Sequence, residues 1–360
     1  MKILYAIQGT GNGHLMRAAE LIPAFRAVKT LEVDLLVSGT QHQLELPYPV
    51  KYRLNGLSFV FGKTGGIDYY ATFKMLNSRR FIRDVIGLPV REYDLVISDF
   101  EPVASRAAML RGVPCIALSN QAAVLHPSAP KPMGTDPSSK FLLRHYAPSH
   151  KSIGFHYQSF DSRTFTPIIR REVRGLQTAR KGHFCLYLPA YSDENILRTL
   201  RQLTRKEWHV FSKSATQTSK HDNVFIHPLD GKKFLEHLAT CDGMVCNAGF
   251  GTTSEALYLG KKMLVIPMKR QCEQQCNAAM LDQMGVSVFG SFRPGNAASI
   301  QRWINTGAPI RQPYANQNGE IVQLVLQTHR EILEERSTGI PSEYYPIEWT
   351  IDGINSNQLD

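Results

Sequence analysis

A histidine, a carboxylate and two glycine-rich turns carry the chemistry legible in this chain. His14 closes the run Gly9-Thr10-Gly11-Asn12-Gly13-His14. Imidazole titrates near working pH, so His14 is the first candidate for a general base. Asp99 directly follows an apolar run over 93–98, and Glu101 stands two residues on. Asp99 can take a catalytic part or cap a helix opening near Pro102, and Glu101 is a rival base. The second turn reads Asn247-Ala248-Gly249-Phe250-Gly251-Thr252-Thr253-Ser254-Glu255-Ala256. Its glycines let a ligand approach the backbone. N–H groups at the start of the following helix favour an anion such as a diphosphate. Thr252 and Thr253 add hydroxyls. Further on, Glu273-Gln274-Gln275-Cys276-Asn277 puts Gln274 and Asn277 three residues apart, on one helix face. Amides both donate and accept, which suits sugar hydroxyls, although a solvated helix face reads the same way.

Alternating strand and helix patterns must position these groups. Apolar runs predict strands near 2–7, 32–37, 51–54, 93–98 and 114–118. A second series falls near 184–188, 208–212, 224–226, 243–246, 263–266 and 286–289. Leu15, Ala18, Ala19, Ile22 and Phe25 recur at helical spacing after the first turn. Strands alternating with helices indicate parallel sheets of right-handed βαβ units. The two series predict an α/β protein of two Rossmann-like domains facing across a cleft. We expect these at 1–165 and 166–335, with a tail over 336–360 that can cross back to the first domain. The stretch 159–182 holds Arg163, Arg170, Arg171, Arg174, Arg180 and Lys181, which reads as a solvated linker or a membrane- or acceptor-facing surface.

At 360 residues the chain suits two domains, and its net charge of +10 points to an anionic partner. No zinc finger or aromatic RNA-binding motif is present, so nucleic acid is the least supported partner. Cys272 and Cys276 stand at i, i+4 without a histidine pair, and no Asp-x-Asp motif ends a strand. No metal and no cofactor are therefore expected. The cysteines read as small apolar residues of a reducing, cytoplasmic protein, and no signal peptide is evident. No apolar run approaches the ~20 residues that span a bilayer. The basic and apolar stretch 69–86 is either an amphipathic core helix or a surface for an anionic, lipid-linked acceptor. The first turn departs from a dinucleotide fingerprint, because its third glycine comes one residue early and the second strand ends in Ser38-Gly39 rather than an acid.

The glycine turn at 9–14 and the block 242–280 resemble GT-B glycosyltransferases, including the peptidoglycan N-acetylglucosaminyltransferase and UDP-glycosyltransferase families. The resemblance implies a nucleotide-sugar donor with a UDP-sugar favoured, no metal, and an inverting transfer to an acceptor the sequence does not name. It places Gly11, Asn12 and Gly13 under the sugar diphosphate and Asn247, Ala248, Gly249, Phe250, Gly251, Thr252 and Thr253 around it. It puts the base near Ile226, the ribose hydroxyls on Glu255, the sugar on Gln274 and Asn277, and Asp99 behind His14. Thr252 to Glu255 also satisfies a capping box, a structural reading of the same four residues. Two other functions fit this architecture: a UDP-sugar 2-epimerase and a nucleotide-sugar-binding protein without chemistry.

Overall fold

The computed structural model describes residues 1–39, 45–56, 78–132, 141, 143–203, 206–269 and 271–338. The aromatic tail from 339 onward and residues 69–77 of the stretch 69–86 lie outside them. Among the described residues the strands form two seven-stranded sheets.

The first sheet takes β1 (Lys2–Gln8), β2 (Glu32–Ser38), β3 (Tyr52–Leu54), β4 (Leu95–Asp99), β5 (Cys115–Ser119), β6 (Lys151–Phe155) and β7 (Thr164–Phe165). Their order is β3-β2-β1-β4-β5-β6-β7, and every pairing is parallel. Parallel sheets are covered on both faces, which is why these strands read as unbroken apolar runs. Ile3, Tyr5 and Ile7 meet Leu15, Ala18, Leu21, Ile22 and Phe25 of the helix Asn12–Arg26. The alternate residues Leu4 and Ala6 meet Val103, Ala104 and Ala107 of the helix Pro102–Leu110.

The second sheet takes β8 (His183–Tyr187), β9 (Glu207–Ser212), β10 (Ser219–His221), β11 (Val224–Pro228), β12 (Gly243–Cys246), β13 (Lys262–Val265) and β14 (Ser287–Val288). Its order is β10-β11-β9-β8-β12-β13-β14, with only the edge pair β10–β11 antiparallel. Phe184, Leu186, Trp208, Val210, Val245 and Leu264 fill one face, beneath the helices Asp193–Leu200 and Ala297–Thr306.

Each sheet reverses its winding once, between β1 and β4 and between β8 and β12. A crevice opens at the carboxyl ends of the strands at such a reversal, and ligands of open α/β sheets bind there. The sequence did not reveal β6, whose residues Lys151-Ser-Ile-Gly-Phe lack an apolar run. A Cβ on Gly154 would sit 2.7 Å from the backbone nitrogen of Ala123, so only glycine lets the helix Asn120–Val124 close on this strand. The long helix Asn318–Ser337 follows the second sheet in sequence but packs on the first domain. Arg163 donates to Glu331 at 2.5 Å, Lys151 to Glu335 at 2.5 Å, and the His329 ring lies 3.1 Å from the Asp94 carbonyl. No described helix is long and apolar enough to cross a membrane.

Candidate active site

The chain leaves β1 at Gln8, turns through three residues and enters the helix Asn12–Arg26 with Gly11 as its N-cap. A Cβ added at Gly11 or Gly13 would meet nothing within 4 Å. Neither glycine is needed for packing.

His14 lies in the first turn of this helix, and its Nδ1 is 2.8 Å from Asp99 Oδ1. Arg17, three residues on and so on the same face, donates from Nε to Asp99 Oδ2 at 3.0 Å and from Nη2 to Oδ1. The same Nη2 is 3.0 Å from His14 Nδ1. Arginine only donates and the carboxylate only accepts, so Nδ1 of His14 donates to Asp99 in one tautomer and accepts from Arg17 in the other. In the first of these Nε2 presents its lone pair, the tautomer a base requires. Asp99 is fully buried. Burial alone pushes its carboxyl up, but the adjacent Arg17 and His14 outweigh that and hold it below the usual carboxylate range. Arg17 also lies 5.3 Å above the Phe155 ring.

Asp99 does not cap the helix Pro102–Leu110. Glu101 does, accepting from Val103 N at 2.9 Å and Ala104 N at 2.7 Å. Its Oε1 also takes the Ser38 hydroxyl at 2.6 Å, and the residue is fully buried. Glu101 is thus a structural carboxyl, raised above its ordinary pKa by burial, and not a base facing the cleft.

In the second domain β12 delivers Asn247, and the helix Phe250–Tyr258 starts with Gly249 as N-cap. The first bond of this helix runs from Thr253 N to Gly249 O, so the N–H groups of Gly249, Phe250, Gly251 and Thr252 have no partner within it. The helix begins before Thr252, which rules out the capping box: Glu255 lies well inside it. Gly249 and Gly251 also face open space. Asn247 donates to Ile266 O at 2.7 Å, and Asn277 to Ala248 O at 3.1 Å. The Oδ1 atoms of both asparagines are buried without a hydrogen bond.

The other expected donor residues fall in several places. Gln274 accepts from Met268 N at 3.0 Å, which fixes the turn after β13. The Thr253 hydroxyl is buried against Tyr157, 2.6 Å from its Oη, and back-bonds to Gly249 O. Phe250 packs on Tyr157, while Thr252 keeps a partly open position. Ile226 lies in β11 between β9 and β10, with its side chain in the core.

Glu255 is gripped by a residue that sequence reasoning left in the linker. Arg170 donates from Nε to Oε1 at 2.6 Å and from Nη2 to Oε2 at 2.8 Å. Such a bidentate pair is strong and directional. The linker arginines are fasteners: Arg174 donates to the Tyr314 and Ala315 carbonyls, and Arg163 to Thr328 and Glu331. Glu273 is a further charged group that was not singled out. Gln121, just past β5, donates to its carboxylate at 2.8 Å across the cleft. Burial raises the Glu273 pKa, and the group couples electrostatically to His14, Arg17 and Asp99. Arg17 was recoverable from its i, i+3 spacing to His14. Arg170 and Glu273 meet their partners across long sequence separations and left no local signal.

Two Rossmann-like domains with a cleft between their carboxyl-terminal edges define the GT-B architecture. The family model of glycosyl transferase family 1 matches residues 1–305, and the chain belongs to that family. It is a glycosyltransferase of the GT-B type. No curated protein matches the sequence. Solved structures match over nearly their whole length. UDP-GlcNAc 2-epimerase from Neisseria meningitidis, bound to UDP-GlcNAc, aligns with TM-score 0.59 at 13% identity, covering 92% of this chain and 100% of that one. The Streptomyces glycosyltransferase SsfS6, complexed with thymidine diphosphate, aligns with TM-score 0.55 at 17% identity, covering 91% and 99%. Phytolacca americana UGT2, complexed with UDP-2fluoro-glucose and pterostilbene, aligns with TM-score 0.55 at 14% identity, covering 95% and 96%.

Proposed function

We propose that this glycosyltransferase moves a sugar from a UDP-sugar to an acceptor hydroxyl by single displacement, with His14 as the base. The observation that carries the reading is the His14–Asp99–Arg17 cluster at the reversal of the first sheet. His14 Nε2 takes the acceptor proton as the hydroxyl oxygen attacks the anomeric carbon. The bond to the diphosphate oxygen breaks on the opposite face, so the configuration inverts. Asp99 stabilises the imidazolium that forms, and Arg17 keeps Asp99 ionised and fixed.

The leaving diphosphate is held by the free N–H groups of Gly249 to Thr252, which are oriented before charge develops. This reading assigns no step to a metal. Gly11, Asn12 and Gly13 close over the sugar diphosphate from the other wall. Glu255 takes the ribose hydroxyls with the lone pairs that Arg170 leaves free, since a carboxylate accepts about four bonds. The orphaned Asn247 and Asn277 oxygens suit hydroxyl donors of the sugar. The UDP and UDP-sugar complexes among the similar structures support the choice of donor. On the first domain, the helix Ser78–Gly87 exposes Ile82 and Ile86 beside Arg79, Arg80 and Arg83. That surface supports peripheral contact with an anionic membrane and a lipid-linked acceptor.

A thermal-shift screen over UDP-, GDP-, dTDP- and CMP-sugars tests the donor. A ligand at 100 times its dissociation constant adds ~2.7 kcal/mol of stability. Incubation of UDP-N-acetylglucosamine without acceptor separates the main alternative: appearance of the 2-epimer would replace transfer by epimerisation.

A further inference from the structure

Four histidines converge in the second domain, far from the cleft in the fold. His183 opens β8, His209 lies in β9, His227 in β11 and His237 near the end of the helix Gly231–Thr240. The His209 ring stacks on His237 with centroids 3.8 Å apart and meets His183 edge-on at 4.9 Å. The ring nitrogens that His183, His209 and His237 can offer lie within 4.8 Å of one another. His183 and His209 are buried, and His237 is half-buried.

Packing imidazoles against each other is an expensive way to fill a core, since each buries polar nitrogens. The protonated forms would repel. Imidazole ligates a metal in its neutral form. Outer groups orient the set. Glu207 Oε1 is 2.9 Å from His209 Nε2, His227 Nε2 is 2.8 Å from His209 Nδ1, and Thr218 Oγ1 is 3.1 Å from His227 Nδ1. Carboxylate and hydroxyl partners of this kind orient metal-bound histidines and raise their basicity.

We propose that His183, His209 and His237 bind one divalent transition-metal ion of the zinc class. Three imidazole nitrogens suit Zn²⁺, Ni²⁺, Co²⁺ or Cu²⁺ far better than Mg²⁺ or Ca²⁺. Nitrogens bound to one tetrahedral zinc lie roughly 3.3 Å apart, from bonds of about 2.0–2.1 Å. Closing from the present span of up to 4.8 Å requires the rings to turn so that their lone pairs converge. His209 exchanges one of its two hydrogen bonds for the metal bond. The half-exposed Glu207 or a water completes the set. The ion would pin the helix Gly231–Thr240 to β8 and β9. His183 and the residue paired with it in β9, Glu207, lie at the amino ends of their strands, opposite the edge that carries Asn247 and Gly249. The site is structural, and it is independent of the sugar-transfer reading.

Full-length protein lacking an affinity tag, stripped with chelator, is titrated with ZnSO₄ by calorimetry. We expect one equivalent bound below ~10 µM, and a melting temperature several degrees higher when saturated. His237→Gln is the principal variant, because its half-buried ring makes no side-chain hydrogen bond among the described residues. It should weaken binding at least 10-fold, and His183→Gln should do the same. X-ray absorption of the zinc-loaded parent needs no variant and should show imidazole scattering from three histidines. Absence of saturable binding, unchanged affinity in His237→Gln, or a first shell without imidazole would each overturn the proposal.

Discussion

Asp99 ends β4 of the first sheet, and Asn247 follows β12 of the second; the two strands hold equivalent places beside the winding reversal of each sheet. Around Asp99, the charged groups are already satisfied by one another. His14 and Arg17 both bond the buried Asp99 carboxylate, and His14 itself is partly exposed. Around Asn247, the amide nitrogens are tied to loop carbonyls, but the Oδ1 atoms of Asn247 and Asn277 and the N–H groups opening the next helix are not. A site whose polar groups are fully bonded before substrate arrives suits proton transfer, where position decides the rate. A site with unmet donors and acceptors suits binding, because the ligand supplies the missing partners. On the proposed reading, one architecture used twice divides chemistry from affinity.

The largest effect should come from breaking the chemical half. His14→Ala should lower turnover by ~10²–10⁴ with a matched acceptor, as expected for loss of a general base. Steady-state kinetics with separate donor titration checks this. Retained turnover would remove His14 from the mechanism.

Breaking the same half through its charge balance should appear as instability. Arg17→Met leaves Asp99 buried beside His14 alone. Removing one member of a buried ion pair costs about 3–5 kcal/mol. Denaturant unfolding measures it, and the double variant Arg17→Met, Asp99→Asn should recover much of the loss. Failure of that rescue would mean that packing on Phe155, not charge, is what Arg17 supplies.

A comparable effect should appear with pH. His156 is fully buried between Phe250, Tyr157 and Phe160, and neither ring nitrogen has a hydrogen-bond partner. Burial, with a smaller contribution from His126, lowers its pKa to about 4. The unfolded chain binds a proton near 6.5, and the folded protein does not until about 4. Stability is therefore intact above 6.5 and falls as the pH drops toward 4, by up to ~3 kcal/mol at about 1.4 kcal/mol per unit. Unfolding measured across that range should show a shallower slope in His156→Phe than in the parent, the remainder coming from other histidines that burial also holds down, among them His150 and His227.

Much of this arrangement could be read from residue order, because long apolar strands and glycine turns announce themselves locally. Most of the parallel strands needed no partner to be seen, β6 and β7 excepted, and His14, Asp99 and Asn247 are conspicuous as polar residues near strand ends. What stayed hidden depends on approach between distant segments. Arg170 looked like one of six linker cations, yet it holds Glu255. Thr252 to Glu255 matched a capping box in spacing, but the free Gly249 let the helix start earlier. Gln274 and Asn277 do share a face, though one spends its carbonyl oxygen and the other its amide nitrogen on nearby backbone. The four histidines from His183 to His237 come from separate strands and a helix, and only the folded sheet gathers them.

The smallest expected effect is the sharpest probe of the division. UDP affinity, measured by calorimetry on the parent, His14→Ala and Glu255→Ala, requires no knowledge of the acceptor. The account predicts that His14→Ala binds UDP as the parent does. Glu255→Ala should bind it more weakly by roughly 1.5–3 kcal/mol, the range for a lost hydrogen bond to a charged group. Equal loss in both variants would contradict the account, since His14 would then be a diphosphate contact; so would unchanged binding by Glu255→Ala, which would leave that carboxylate as no more than the partner of Arg170.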